Sequence, residues 1–224
     1  MKKTVLYLVL FISFLLSQQN VNAQGGDYIT DGHGKPFQSS NTDVDGSPFL
    51  IDNWLPGKVI TVKGKVYDKV KLKYELNGDF PIFIYNNNDE ALKFAEDVKS
   101  FILYTPEAVL FTSGFPPVDK QTEASFYKVL SDGKVKLLKH FSRHVIINKG
   151  YSSVDGNKVY RDINNYYIFK EGKIQKVDNP QKILYSMAGT HKNKIDAFMK
   201  VNSYNWKEDE GLGRVFDFYN TLGN

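Results

Sequence analysis

The chain has 224 residues, with 29 lysines and arginines against 25 aspartates and glutamates, and it has no cysteine. The absence of cysteine excludes thiol nucleophiles, thiolate zinc sites, iron–sulfur clusters and disulfide staples, so stability must come from burial. Part of the +4 surplus sits in Lys2 and Lys3; what remains is close to neutral and argues against nucleic acid as a partner.

The N-terminus carries the plainest signal. Lys2 and Lys3 precede a largely apolar run, residues 5–16 (VLYLVLFISFLL), and then SQQNVNAQ, which sets Val21 and Ala23 at the −3 and −1 positions of a cleavage site. This pattern predicts a signal peptide over residues 1–23. The run is shorter than the ~20 residues a bilayer span needs, and no later run reaches that length. Cleavage after Ala23 removes 23 of the 224 residues and leaves 201, with 27 basic side chains against 25 acidic. The mature form is expected to have no transmembrane anchor and to be exported, into the periplasm or beyond the cell.

Residues 24–47 are rich in Gly, Ser, Asp and Asn and show no apolar period, so they are expected to be a flexible polar leader. Asn41, Asp43, Asp45, Gly46 and Asp52 fall on the first, third, fifth, sixth and twelfth positions of a calcium-binding EF-hand loop. The context does not support that use. The first position is a neutral Asn, Pro48 lies inside the loop, Asp52 is shorter than the usual bidentate Glu, and no helical pattern precedes residue 41. These residues remain the one metal candidate of the sequence, against a solvated polar segment.

From residue 48 to 177 the chain reads as strands separated by turns. The predicted strands are 59–62, 69–76, 80–85, 98–104, 126–130, 134–145, 159–169 and 173–177. In the second, Val70, Leu72, Tyr74 and Leu76 alternate with Lys69, Lys71, Lys73 and Glu75, which gives one buried and one wet face. Asn77-Gly78 closes it with a hairpin-type turn. Residues 86–90 (NNNDE), Ser131-Asp132-Gly133, Asp155-Gly156-Asn157 and Glu171-Gly172 punctuate the rest. Short connections imply antiparallel neighbours. Residues 105–125, with Pro106, Gly114 and Pro116-Pro117, form the longest irregular stretch, and such loops usually have a task or structure of their own.

After Asp178 the period becomes 3.6. Pro180 suits a first helical turn, Ile183, Leu184 and Met187 share a face, and Gly189 fits a helix end. Thr190 is placed to cap a second helix carrying Ile195, Phe198 and Met199. A third begins near Lys207, where Glu208, Asp209 and Glu210 favour the positive end of its dipole. Its face is Leu212, Val215, Phe216, Tyr219 and Leu222, and Gly211 and Gly213 weaken it by roughly 1 kcal/mol each relative to Ala. Residues 178–224 are thus a helical segment expected to pack on the sheet. The expected fold is α+β, mainly β: a curved antiparallel sheet or partly open barrel over 48–177, followed by a three-helix C-terminal segment.

Three stretches carry a resemblance. Residues 46–79 (GSPFLIDNWLPGKVITVKGKVYDKVKLKYELNGD) resemble the opening of a family of secreted proteins of Bacteroidota with no assigned function. YYIFKEGKIQKV (166–177) is similar to their later hairpin, and the closing stretch, ending in Tyr219-Asn220, is similar to their helical tail. The resemblance implies export and a strand-rich body with terminal helices. It implies no activity and no catalytic residue.

No constellation in the chain fits a known chemistry. His140 and His144 in KHFSRHV have the spacing of a helical zinc pair, but no Glu lies between them and the segment reads as a strand. Residues four apart on a strand are about 13 Å apart, too far to share a metal. They read as two partly exposed strand histidines; His33 and His191 have no evident partner. No G-x-S-x-G, S-x-x-K set or phosphate loop occurs, so no catalytic residue and no cofactor are assigned. Asp89-Glu90 and Glu208 to Glu210 sit at a turn and a helix start. Lys69, Lys71 and Lys73 read as a solvated face that discourages edge pairing, or as a surface for an anionic partner. Of Phe126/Tyr127 and Tyr166/Tyr167, one member of each pair stays exposed unless helices cover it. The function that follows is an exported, non-enzymatic binding or envelope-associated protein, its partner an envelope component or a small apolar or glycan ligand. The alternative is a secreted hydrolase acting on glycan or peptide.

Overall fold

A computed structural model describes residues 30–39, 41–85, 90–148 and 156–222. The expected signal peptide lies outside the described residues. Eleven strands are described: β1 (Gly34–Pro36), β2 (Leu55–Thr61), β3 (Val66–Glu75), β4 (Phe80–Ile84), β5 (Leu92–Phe94), β6 (Val98–Tyr104), β7 (Ala108–Thr112), β8 (Tyr127–Ser131), β9 (Val135–Asn148), β10 (Asn157–Lys170) and β11 (Lys173–Val177). They make one antiparallel sheet in the order β1-β5-β4-β3-β2-β6-β7-β8-β9-β10-β11. The protein is therefore mainly β, and its sheet is open, with β1 and β11 as edges, rather than closed into a barrel.

Alternation forms β3 as expected. Val70, Leu72, Tyr74 and Leu76 are all buried in one aromatic-rich core with Phe83, Phe101 and Phe111. The opposite row differs from expectation. Lys69 takes a positive φ of 54° where the register to β2 jumps between Gly57 and Val59, so it sits in a bulge. Lys71 is exposed, Lys73 lies 4.8 Å above the rings of both Phe49 and Trp54, and Glu75 is buried. β3 lies between β2 and β4, so the lysines guard no edge.

Order also begins earlier than expected. Within the supposed flexible leader, β1 pairs with β5 from Gly34 to Pro36. Residues 45–50 join distant strands: the Asp45 N–H donates to the Lys158 carbonyl (2.9 Å), and the Leu50 N–H donates to the Tyr74 carbonyl (2.9 Å). The Arg143 guanidinium donates to the carbonyls of Ser47 (2.5 Å) and Phe49 (2.8 Å). The sheet curls enough that the Arg143 N–H of β9 reaches the Leu76 carbonyl at the end of β3 (3.3 Å).

The tail forms two helical runs. The first covers 180–201 and is broken into α1 (Pro180–Ala188) and α2 (Lys192–Val201) by a 3-10 turn at Gly189–His191; the second is α3 (Asp209–Thr221). The three-helix expectation becomes a bent run and a separate helix. Asn179, not anticipated, caps α1 by accepting from the Lys182 N–H at 2.9 Å. Thr190 caps nothing, because it lies inside the 3-10 turn. Leu184, Ile195, Met199, Leu212, Val215 and Phe216 pack on Val135, Leu137 and Ile168 of the sheet.

Polar contacts fix α3 in place. Asp209 accepts from Lys128 (3.0 Å), Lys139 (2.9 Å) and the Tyr166 hydroxyl (2.9 Å). Burial raises its carboxyl, but the two lysine hydrogen bonds outweigh that and hold it below the usual carboxylate range. The Asn220 amide pairs with both backbone groups of Val135, at 2.9 Å each. Gly213 has a packing reason: a Cβ there would stand 2.5 Å from the Leu130 carbonyl oxygen, so only glycine lets the helix backbone approach β8 this closely.

The helices cover one face of β8–β11. The opposite face, carrying Tyr127, Leu138 and Tyr167, packs on Phe115 and Val118 of the segment 113–126. This strap is part of the expected irregular stretch, and the rest of that stretch holds β7. Among the described residues, no helix is long and apolar enough to cross a membrane.

Candidate functional site

The β3–β4 turn, the strap and the strap-side face of β9–β10 meet at Asp79. Glu75 builds the turn: its carboxylate accepts the N–H groups of Asn77 (3.0 Å) and Gly78 (2.6 Å). Burial pushes the Glu75 carboxyl up, against those two bonds. Asp79 closes the turn with a φ of 59°, a conformation Asp tolerates better than most residues. Its carboxylate accepts from the Tyr74 hydroxyl (2.5 Å), from the Phe126 N–H (3.3 Å to each oxygen) and from His140 Nε2 (3.3 Å). One side chain thus ties together β3, the end of the strap and β9.

His140 is only 3% exposed. A carboxylate can only accept, so Nε2 carries the proton shared with Asp79, and in the neutral ring Nδ1 is an acceptor. Nδ1 has no hydrogen-bond partner among the described residues, and neither has the hydroxyl of Tyr127, whose ring stands 5.5 Å from that of His140. Burial, and then the charge of Asp79, pushes the Tyr74 phenol well above its ordinary value. Burial, then Tyr167 and Asp79, does the same at Tyr127. Tyr167 donates to Gln121 Oε1 at 3.0 Å; burial, with Asp119 beside it, pushes it up to about 12.

A cleft of about 410 Å³ opens over His140. Its floor is His140, Ser142, His144 and, on β10, Ile163 and Asn165; Asp79 and Asp119 to Gln121 form its walls. A second cleft of about 640 Å³, on the other side of Asp79, is lined by Phe80, Phe94, Phe126, Lys93 and Lys99 among others and shares Gly78 and Asp79 with the first.

The expected site residues fall as follows. His140 and His144 are on a strand, as read, and both line the cleft, but His140 is buried and bonded to an aspartate rather than partly exposed. The calcium candidates do not converge. Asp43 Oδ2 takes the Lys158 ammonium at 2.5 Å, which holds the Asp43 carboxyl below its ordinary value. Asp45 pairs through its backbone with Val159, Asp52 accepts from the Ser47 hydroxyl, and the Asn41 N–H leans on Ser39 Oγ at 3.4 Å. Among the described residues, no three His, Cys, Asp or Glu side chains are grouped to hold a metal ion. Phe126, Tyr127 and Tyr167 are buried and Tyr166 is half-buried under α3, so they form no exposed aromatic row. Asp79 was missed, since it reads locally as the end of a hairpin turn. No family model, curated protein or solved structure matches the chain.

Proposed function

We propose that the chain is exported by its N-terminal leader and acts outside the cytoplasm as a non-enzymatic binding protein, with a small polar ligand seated in the Asp79–His140 cleft. The observation that carries this reading is a ligand-sized cleft lined by Asp79 and His140, beside a buried polar junction in which His140 Nδ1 has no hydrogen-bond partner among the described residues. The polar lining speaks for a polar ligand over an apolar one. The nearby hydroxyls are turned to the backbone: Ser142 donates to the Ile163 carbonyl (3.0 Å), and Ser125 accepts the Thr122 N–H (3.2 Å), so neither is poised as a nucleophile. The resemblance to secreted proteins of Bacteroidota agrees with export and assigns no activity.

A second reading, a secreted hydrolase acting on glycan or peptide, draws on the same pair. An aspartate-bound histidine with a bare nitrogen is the arrangement of a general base. Turnover of chromogenic glycosides or peptides that disappears in His140→Phe would favour it.

Lys120 and Lys176 line the cleft and are exposed, so amine-reactive crosslinking on native envelopes tests the first reading. The expected result is a chain starting at Gln24, crosslinked through these lysines to an envelope component. A chain retaining Met1, or crosslinks to cytoplasmic proteins only, would overturn it.

A further inference from the structure

The cleft of about 640 Å³ is built differently from the one over His140. It lies at one end of the sheet, where β2, β5 and β7 end, β4 and β6 begin and the strap returns. Much of its lining is apolar. Phe94 and Phe126 belong to the aromatic core, Phe80 and Val98 are half-buried, and Val62 is 63% exposed. Behind the lining the core is packed. Phe126 meets Phe101 at 5.1 Å and Tyr74 at 6.3 Å, and Phe101 stacks on Phe111 at 4.9 Å. Rings therefore close the base, which suits a short apolar group and not a long acyl chain.

Four charged residues complete the lining. Lys93, Lys99, Asp97 and Glu123 are exposed, and none of them forms an ion pair among the described residues. Lys93 Nζ stands 3.7 Å from the centre of the Phe80 ring. The other two carboxylates are engaged, Asp79 by its three donors and Glu96 by Lys63 (3.8 Å) and Lys65 (3.1 Å). The backbone beneath the unpaired heads is already held. The carbonyls of Asp97, Lys99 and Glu123 accept the N–H groups of Val62 (2.8 Å), Ser113 (2.9 Å) and Gly114 (2.7 Å). The walls thus stand in place before a ligand arrives, which lowers the cost of binding.

Two unpaired cations and two unpaired carboxylates around an apolar base sort ligands by charge. An anion is drawn to the lysines and repelled by Asp97 and Glu123, and a cation meets the reverse. A neutral apolar molecule strips water from charges that it cannot pair. A zwitterion sets one of its charges against each sign. We infer that this cleft binds a small zwitterion with an apolar side group: a free amino acid such as phenylalanine or leucine, or a dipeptide of the two. Its carboxylate faces Lys93 and Lys99, its ammonium faces Asp97 and Glu123, and its side group lies on Phe94 and Phe126. The volume suits one or two such residues.

Calorimetric titration of the mature chain tests this. Phenylalanine, leucine and phenylalanyl-leucine should release binding heat. N-acetylphenylalanine lacks the ammonium, phenylalanine amide lacks the carboxylate, and glycine lacks the side group; each should bind about tenfold more weakly or worse. Lys99→Gln and Glu123→Gln change exposed side chains and should each weaken phenylalanine about threefold. They should also act selectively. Lys99→Gln should narrow the gap between phenylalanine and its amide, and Glu123→Gln the gap between phenylalanine and its N-acetyl form.

No heat from any zwitterion, a blocked form binding as tightly as phenylalanine, or gaps unchanged in both variants would overturn the inference. The Asp79–His140 reading would survive each of these results, because the two clefts share only Gly78 and Asp79.

Discussion

Asp79 carries more of the local structure than any other side chain at the cleft, because three donors from separate parts of the chain end on it. Replacing it with Ala leaves the Tyr74 hydroxyl, the Phe126 N–H and His140 Nε2–H without their acceptor and puts a residue averse to positive φ at 59°. Each stranded buried donor costs about 1–3 kcal/mol, so a loss of about 3 kcal/mol or more is expected. For a chain of this size that corresponds to a fall of roughly 6–12 °C in Tm. Asp79→Asn keeps one acceptor and tolerates the backbone, so it should lose about half as much; equal loss in the two variants by thermal denaturation would contradict this account. The phenols give a second residue-scale prediction. Tyr74, Tyr127, Tyr166 and Tyr167 are all raised by burial. A raised folded-state value gives stability that is complete below the unfolded value of ~10 and is lost as pH rises through the folded one. Absorbance at 295 nm should therefore show these four phenols ionising only above the ordinary phenol range, together with alkaline unfolding. Ionisation of these four near ~10, without unfolding, would contradict it.

At the scale of elements, the helix α3 and its seat on β8 and β9 make the sharpest claims. Gly213→Ala improves helix propensity by about 1 kcal/mol, yet its Cβ would meet the Leu130 carbonyl oxygen at 2.5 Å. Overpacking of that kind costs about 1–3 kcal/mol, so the variant should be neutral to destabilised; a clear gain in denaturation midpoint would show that the helix is not held this close. Asp209 has a depressed folded-state value, so its contribution is present above the unfolded value of ~3.9 and is lost as pH falls through the folded one. Asp209→Asn should flatten the acid side of the stability profile. At neutral pH it should cost about 2 kcal/mol, less than the 3–5 of a fully buried pair because both lysines keep some solvent. What was legible at this scale follows from turn signals and period. β6 and β11 lie where the strand runs between turn signals put them, and the helical faces follow the 3.6 repeat. β1, β5 and β7 were not legible: the first two are three residues long, too short to show a period, and β7 is a run of apolar residues with no alternation.

At the scale of the whole molecule, the order of the sheet decides which residues meet. The turn signals that bound it predicted that β9 would be a strand. They could not show that His140 would face Asp79, 61 positions earlier, because only the curl of the sheet and the crossing of the strap bring β3, the strap and β9 together. The same holds for residues 45–47, the end of the expected free leader, which with residues 48–50 link β3 to β10 through their backbone. The central claim is the proposal that this junction is where the chain holds its ligand. Hydrogen–deuterium exchange of the mature chain, with and without solubilised envelope material, tests it most directly. Slowed exchange at 76–79, 119–125 and 140–144 is the predicted result; protection confined to the helical tail, or to no segment, would contradict it.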